Sequence, residues 1–185
     1  MTKHDPFIVV GTGRCCSSFV SSVLHNRLGV CMGYDFKKPN SINPEGYYED
    51  REFLLSNHNL IAGDWTLQGW LKVVHKIIDA RQELGIPWGF KDPRIAELLG
   101  EYLGFFDNPH IIWCDREARL VIKSLVTKYE YTPDIAKKMY VVRMIKMDRL
   151  LKGRDILRIK IGEDRLSEED VIAMIDEKYG DYLGC

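Results

Sequence analysis

Residues 7–28, FIVVGTGRCCSSFVSSVLHNRL, constrain the chain more than any other stretch. Phe7, Ile8, Val9 and Val10 are apolar and mostly β-branched, which predicts a short buried strand. Gly11-Thr12-Gly13 predicts a tight turn. Ser17 or Ser18 can cap a helix that carries Val20, Val23, Leu24 and Leu28 on one face. A helix start behind a glycine turn leaves backbone N–H groups without partners, in a place where the helix dipole favours an anion. Arg14 adds a planar donor fork suited to phosphate or sulfate oxygens. The plain alternative is a strand, turn and helix with no ligand.

The common phosphate loops are excluded by the residues at particular positions. A loop of the form GxxxxGK[ST] starting at Gly11 needs Gly, Lys and Ser or Thr at 16, 17 and 18, where this chain has Cys16, Ser17 and Ser18. The lysine that reaches terminal phosphates is missing. In the dinucleotide fingerprint GxGxxG the third glycine falls on Cys16, and that glycine is what permits close helix–strand packing. A tyrosine-phosphatase loop, Cys-x5-Arg, would need arginine at 21 or 22, and both are serine. Cys15 and Cys16 therefore read as small packed residues flanking the loop, and Cys114, within an apolar run, reads as core. The remaining cysteines, Cys31 and Cys185, complete no zinc-site spacing.

The 185 residues are enough for one domain with a real core, spanning 1–185. A net charge of −1 gives no global basicity of the kind that binds nucleic acid. No apolar run is long enough for a membrane span, and the charged start lacks the apolar stretch of a secretory signal, so the expected location is cytoplasmic.

Further on, apolar runs alternate with amphipathic ones. Strands are expected near 7–10, 88–91, 110–114 and 156–161. Helices are expected over 49–61 and 67–84, after Pro93, through Val121–Tyr129, from Thr132 to Gly153, and from Ser167 to a stop at Gly180. Ser167 and Asp170 have capping-box spacing. Partial alternation in the last strand suits a sheet margin. Recurring strand–helix units imply an α/β fold, a three-layer sandwich around a mainly parallel central sheet. Residues 37–46 form a turn-rich loop, a candidate substrate lid. At the end of the second strand, Lys91 and Arg94 are expected to face the ligand crevice, with Asp92 and Pro93 starting a helix. Arg116 and Ser124, eight residues apart, could share an anion.

In this order, the loop, the Lys91-Asp92-Pro93-Arg94 segment and the Arg116/Ser124 pair resemble the sulfotransferases that use 3′-phosphoadenosine 5′-phosphosulfate (PAPS), especially bacterial-type members. Asn43-Pro44-Glu45-Gly46-Tyr47-Tyr48-Glu49-Asp50 resembles a further segment of that family. The resemblance covers nearly the whole chain and implies a P-loop NTPase-like fold with PAPS as donor and no metal. It puts the 5′-phosphosulfate on Gly11, Thr12, Gly13, Arg14, Cys15, Cys16, Ser17 and Ser18, and the 3′-phosphate on Arg116 and Ser124. It implies Arg14 and Glu49 as catalytic residues, with Glu45 and His58 as reserve bases. Glu45, Tyr47, Tyr48, Lys91 and Arg94 would bind the acceptor, which stays open among protein, glycan, lipid and small-molecule classes. The chain departs from the family at Cys16, where the family loop has glycine, and in ending at Cys185, before a basic glycine-containing segment found in longer members. Two other readings stand beside this one. They are a nucleotide or small-molecule kinase, and a non-catalytic protein that binds a phosphonucleotide.

Overall fold

A computed structural model of the chain describes residues 4–164 and 166–183. Strands β1 (Phe7–Gly11), β2 (Gly89–Lys91), β3 (His110–Arg116) and β4 (Leu157–Ile161) form one sheet in the order β2-β1-β3-β4. All three pairings are parallel. The helices are α1 (Ser17–Asn26), α2 (Arg51–Ala62), α3 (Leu67–Gln82), α4 (Ile95–Leu103), α5 (Ala118–Tyr129), α6 (Pro133–Leu151) and α7 (Glu168–Leu183).

The strands read as unbroken apolar runs because both faces of the sheet are covered. Ile8 and Val10 of β1, with Ile111 and Trp113 of β3, pack against α2, α3, α4 and α6. The alternate residues Phe7, Val9, Ile112 and Cys114 pack against α1 and α7. Sheet and two helical layers make the expected three-layer α/β sandwich. β4 lies at the margin, and its Arg158 and Lys160 are exposed while Ile159 and Ile161 are buried.

Several helix ends differ from the sequence expectation, among them α4, which begins at Ile95 behind Arg94 and not at Pro93 with Asp92 as its cap. α1 begins at Ser17 with neither serine as cap; Cys16 holds the cap position without a side-chain bond. α2 begins at Arg51, because Asp50 is the residue that caps it, accepting from Glu52 N at 2.9 Å. Glu49 thus lies outside the helix, in the extended segment where Asp50 bridges Phe36. α7 runs through Gly180 to Leu183. Its last turns are held by Tyr179, whose hydroxyl donates to Ile111 O at 3.0 Å, and by Tyr182, whose ring lies 4.1 Å from that of His110. The capping box is present: Ser167 Oγ accepts from Asp170 N, and Asp170 Oδ2 accepts from Ser167 N.

Gly11 is set by close approach. A Cβ there would stand 2.1 Å from Cys15 Sγ and 3.0 Å from Cys114 O. The turn after β1 can therefore fold back against β3 only over a bare backbone.

Candidate functional site

The C-terminal ends of β1, β2 and β3 open on one cavity of about 380 Å³, the position where open parallel sheets hold ligands. Its floor is the turn from Gly13 to Ser18. The chain is left-handed at Gly13 (φ 85°), Arg14 (φ 56°) and Cys16 (φ 63°). For the two residues with side chains this conformation costs on the order of 1–2 kcal/mol each. Glycine at position 16 would avoid that cost, which is the physical content of the departure at Cys16. At the start of α1 the cap residue Cys16 makes no side-chain bond to the helix, its carbonyl accepts from Phe19 N at 3.0 Å, and the first turn carries no acid.

Two arginines brace the turn from behind. Arg143 of α6 donates to Thr12 O at 2.9 Å and pairs with Glu97 at 2.6 Å. Arg116, at the end of β3, donates from Nη1 to Arg14 O at 3.0 Å. The Arg116 Nε is buried and has no hydrogen-bond partner among the described residues, although Arg116 lines the cavity. Arg14 Nε donates to Ser124 Oγ at 2.9 Å, and its guanidinium lies 6.0 Å from the Tyr129 ring centre. Arg14, Arg116 and Ser124 thus form one cluster, where two separate anion sites were expected.

The opposite wall centres on a buried ion pair. Lys91 Nζ donates to Glu49 Oε1 at 2.7 Å, to Ser18 Oγ at 3.1 Å and to Tyr47 O at 3.3 Å. The two charged side chains are 4% and 2% exposed. Glu49 Oε2 has no hydrogen-bond partner among the described residues; Lys37 Nζ lies 3.7 Å from it. Next to them Arg94 is clamped by Asp92, which accepts from its N, Nε and Nη2, and by Leu54 O. Asp92 is in turn held by Asn57 Nδ2 at 3.1 Å.

The loop expected as a lid forms one side of the cavity through Asn43, Glu45, Gly46, Tyr47 and Tyr48. Tyr47 donates to Asn40 Oδ1 at 2.6 Å, and burial pushes its phenol above the ordinary value, so it stays neutral at pH 7. Tyr48 accepts from Asn26 at 2.8 Å. Of the sequence-predicted residues, Gly13, Arg14, Cys15, Cys16, Ser17, Ser18, Glu45, Tyr47, Tyr48, Glu49, Lys91, Arg94 and Arg116 line the cavity. Gly11 and Thr12 support the turn from below, Ser124 reaches it through Arg14, and His58 is exposed on α2 away from it. Burial pushes the Cys114 thiol far up, as suits a core residue and not a nucleophile. Sequence reasoning missed Arg143, Tyr129, Tyr131 and Met139, all lining residues from the α5–α6 side. Among the described residues no three His, Cys, Asp or Glu side chains gather as a metal site. No described helix is long and apolar enough to cross a membrane.

A solved structure, the sulfotransferase domain from the Synechococcus PCC 7002 olefin synthase, superposes on this chain with a TM-score of 0.57. It is 15% identical, and the match covers 99% of this chain and 75% of that one. The fold is that of a sulfotransferase domain. This is the P-loop-like α/β architecture, reached here without a lysine in the loop. No protein-family model matches the chain, and no curated protein matches it in sequence.

Proposed function

We propose that the protein is a sulfotransferase that moves a sulfuryl group from PAPS to an acceptor hydroxyl or amine. The observation that carries this reading is that one cavity holds both a helix start with no acid and no side-chain cap from Cys16, and Arg116, a lining residue whose buried Nε has no hydrogen-bond partner among the described residues. A nucleotide with phosphate groups at both its 5′ and 3′ ends supplies an anion to each. The fold shared with a sulfotransferase domain supports the same chemistry.

In this reading the turn's N–H groups, Arg14, Ser17 and Ser18 hold the 5′-phosphosulfate, and Arg116 takes the 3′-phosphate, while Ser124 holds Arg14 in place. The S–O bond to the 5′-phosphate breaks while a new bond forms from sulfur to the acceptor. Charge develops on the leaving phosphate, and Arg14 and the helix start stabilise it electrostatically. The acceptor proton passes to Glu49 Oε2, the oxygen that Lys91 leaves unbonded. Tyr47, Tyr48, Glu45, Lys91 and Arg94 shape the acceptor side.

One observation favours a second reading, phosphoryl transfer from ATP. Lys91 Nζ stands 3.1 Å from Ser18 Oγ, so a lysine from β2 reaches the loop that lacks its own. Calorimetric titration separates the two. PAPS is expected to bind without Mg²⁺ and at least about tenfold tighter than ATP, a difference of about 1.4 kcal/mol. Tighter binding of ATP in the presence of Mg²⁺ would move the assignment to a kinase.

A further inference from the structure

We propose that the outer face of α6 is the interface of a homodimer, in which two copies of the helix cross antiparallel about a two-fold axis between Val141 and Val142. The inner side of α6 is committed to its own chain: Ala136 and Met147 are buried, and Arg143 pairs with Glu97 of α4. Directly opposite, Val141 is 41%, Val142 56% and Ile145 64% exposed. At 3.6 residues per turn these three share one stripe with Asp134, Lys138 and Arg149, all exposed. A solvated helix of this length has no use for three neighbouring branched apolar side chains on its outward face.

The charges choose the partner. None of Asp134, Lys138 and Arg149 forms an ion pair among the described residues. The acid lies near the start of the stripe and Arg149 near its end. Antiparallel crossing therefore sets Asp134 against Arg149 of the partner subunit, twice by symmetry. It lays the aliphatic stem of Lys138 over Ile145 of the partner subunit, with the ammonium left in water. A parallel pair would set like charges together. One helix crossing is a small interface, so the dimer is expected to be weak, with a Kd on the order of 10 μM.

Sedimentation velocity on the full chain tests this. Wild-type protein should run as a dimer at about 200 μM and dissociate on dilution below about 1 μM. Asp134→Arg and Arg149→Asp should each weaken the dimer at least roughly tenfold through like-charge contact, and the double variant should restore it. Ile145→Glu should abolish pairing while its circular dichroism melt stays unchanged. A wild-type monomer at the highest concentration would overturn the proposal. So would an Ile145→Glu dimer, or a double reversal no better than the single ones.

Discussion

Replacing Lys91 with methionine is expected to lower the unfolding free energy by about 3–5 kcal/mol. The change keeps most of the side-chain volume and removes the charge. What it leaves behind is Glu49, 2% exposed, with Oε1 stripped of its 2.7 Å partner and Oε2 facing Lys37 at 3.7 Å. The ammonium of Lys37 is half in water, so its attraction is screened and cannot replace Lys91. The size of the effect is the penalty of an uncompensated buried charge, and not the net worth of the pair. The double variant Lys91→Met/Glu49→Gln should therefore recover much of the loss, since it removes both charges. Urea unfolding of the wild type, the two single variants and the double variant measures the coupling. Strictly additive losses would mean that the two residues do not sense each other in solution.

Glu49→Gln is expected to slow sulfuryl transfer roughly 100-fold or more while changing PAPS affinity only a few-fold. Glutamine keeps the size of the side chain and can still meet Lys91 through its carbonyl oxygen, but it cannot take the acceptor's proton. Read from the sequence as a catalytic base, Glu49 implied a variant whose thermal melting barely moves. Its place beside Lys91 changes that expectation. Stability should fall as well, so the kinetics must be measured well below the variant's melting temperature. The test needs an acceptor, found by screening alcohols and amines with labelled PAPS. Near-normal turnover would remove Glu49 from the chemistry. It would leave orientation and the charge of Arg14 to carry the reaction, with Glu45 as the nearest other carboxylate lining the cavity.

Much of the framework was legible because its signals are local. β1 and β3 are apolar on both faces since helices cover both, and β4 alternates since it ends the sheet. Thr132 and Pro133 announce α6, and Thr132 Oγ1 does accept from Ile135 N. The turn after β1 was legible from its glycines. The partnerships inside the cavity were not. Arg14 and Ser124 are 110 positions apart, and Lys91 and Glu49 are 42 apart. Nothing in periodicity tells which distant polar groups a parallel sheet will bring to its C-terminal edge. Glu49, Asp50 and Glu52 lie within four residues of one another, all near a helix start, and pattern alone could not say which would cap it. Asp50 caps, Glu52 pairs with Arg81, and Glu49 turns inward. Arg143 did leave a trace. It falls on the same helical face as Ala136 and Met147, both buried, and an arginine on such a face implies a buried partner.

In the proposed function, one cavity holds two anions of a single nucleotide, one at the start of α1 and one at Arg116. Titrating 3′-phosphoadenosine 5′-phosphate and adenosine 5′-phosphate into the wild type and into Arg116→Ala tests it most directly. The wild type should prefer the doubly phosphorylated nucleotide by about 2 kcal/mol, the scale of a hydrogen bond to a charged group, or roughly thirtyfold in Kd. Arg116→Ala should lose most of that preference and bind adenosine 5′-phosphate nearly as the wild type does. A wild type that binds both nucleotides equally, or a variant that weakens both by the same factor, would contradict the assignment.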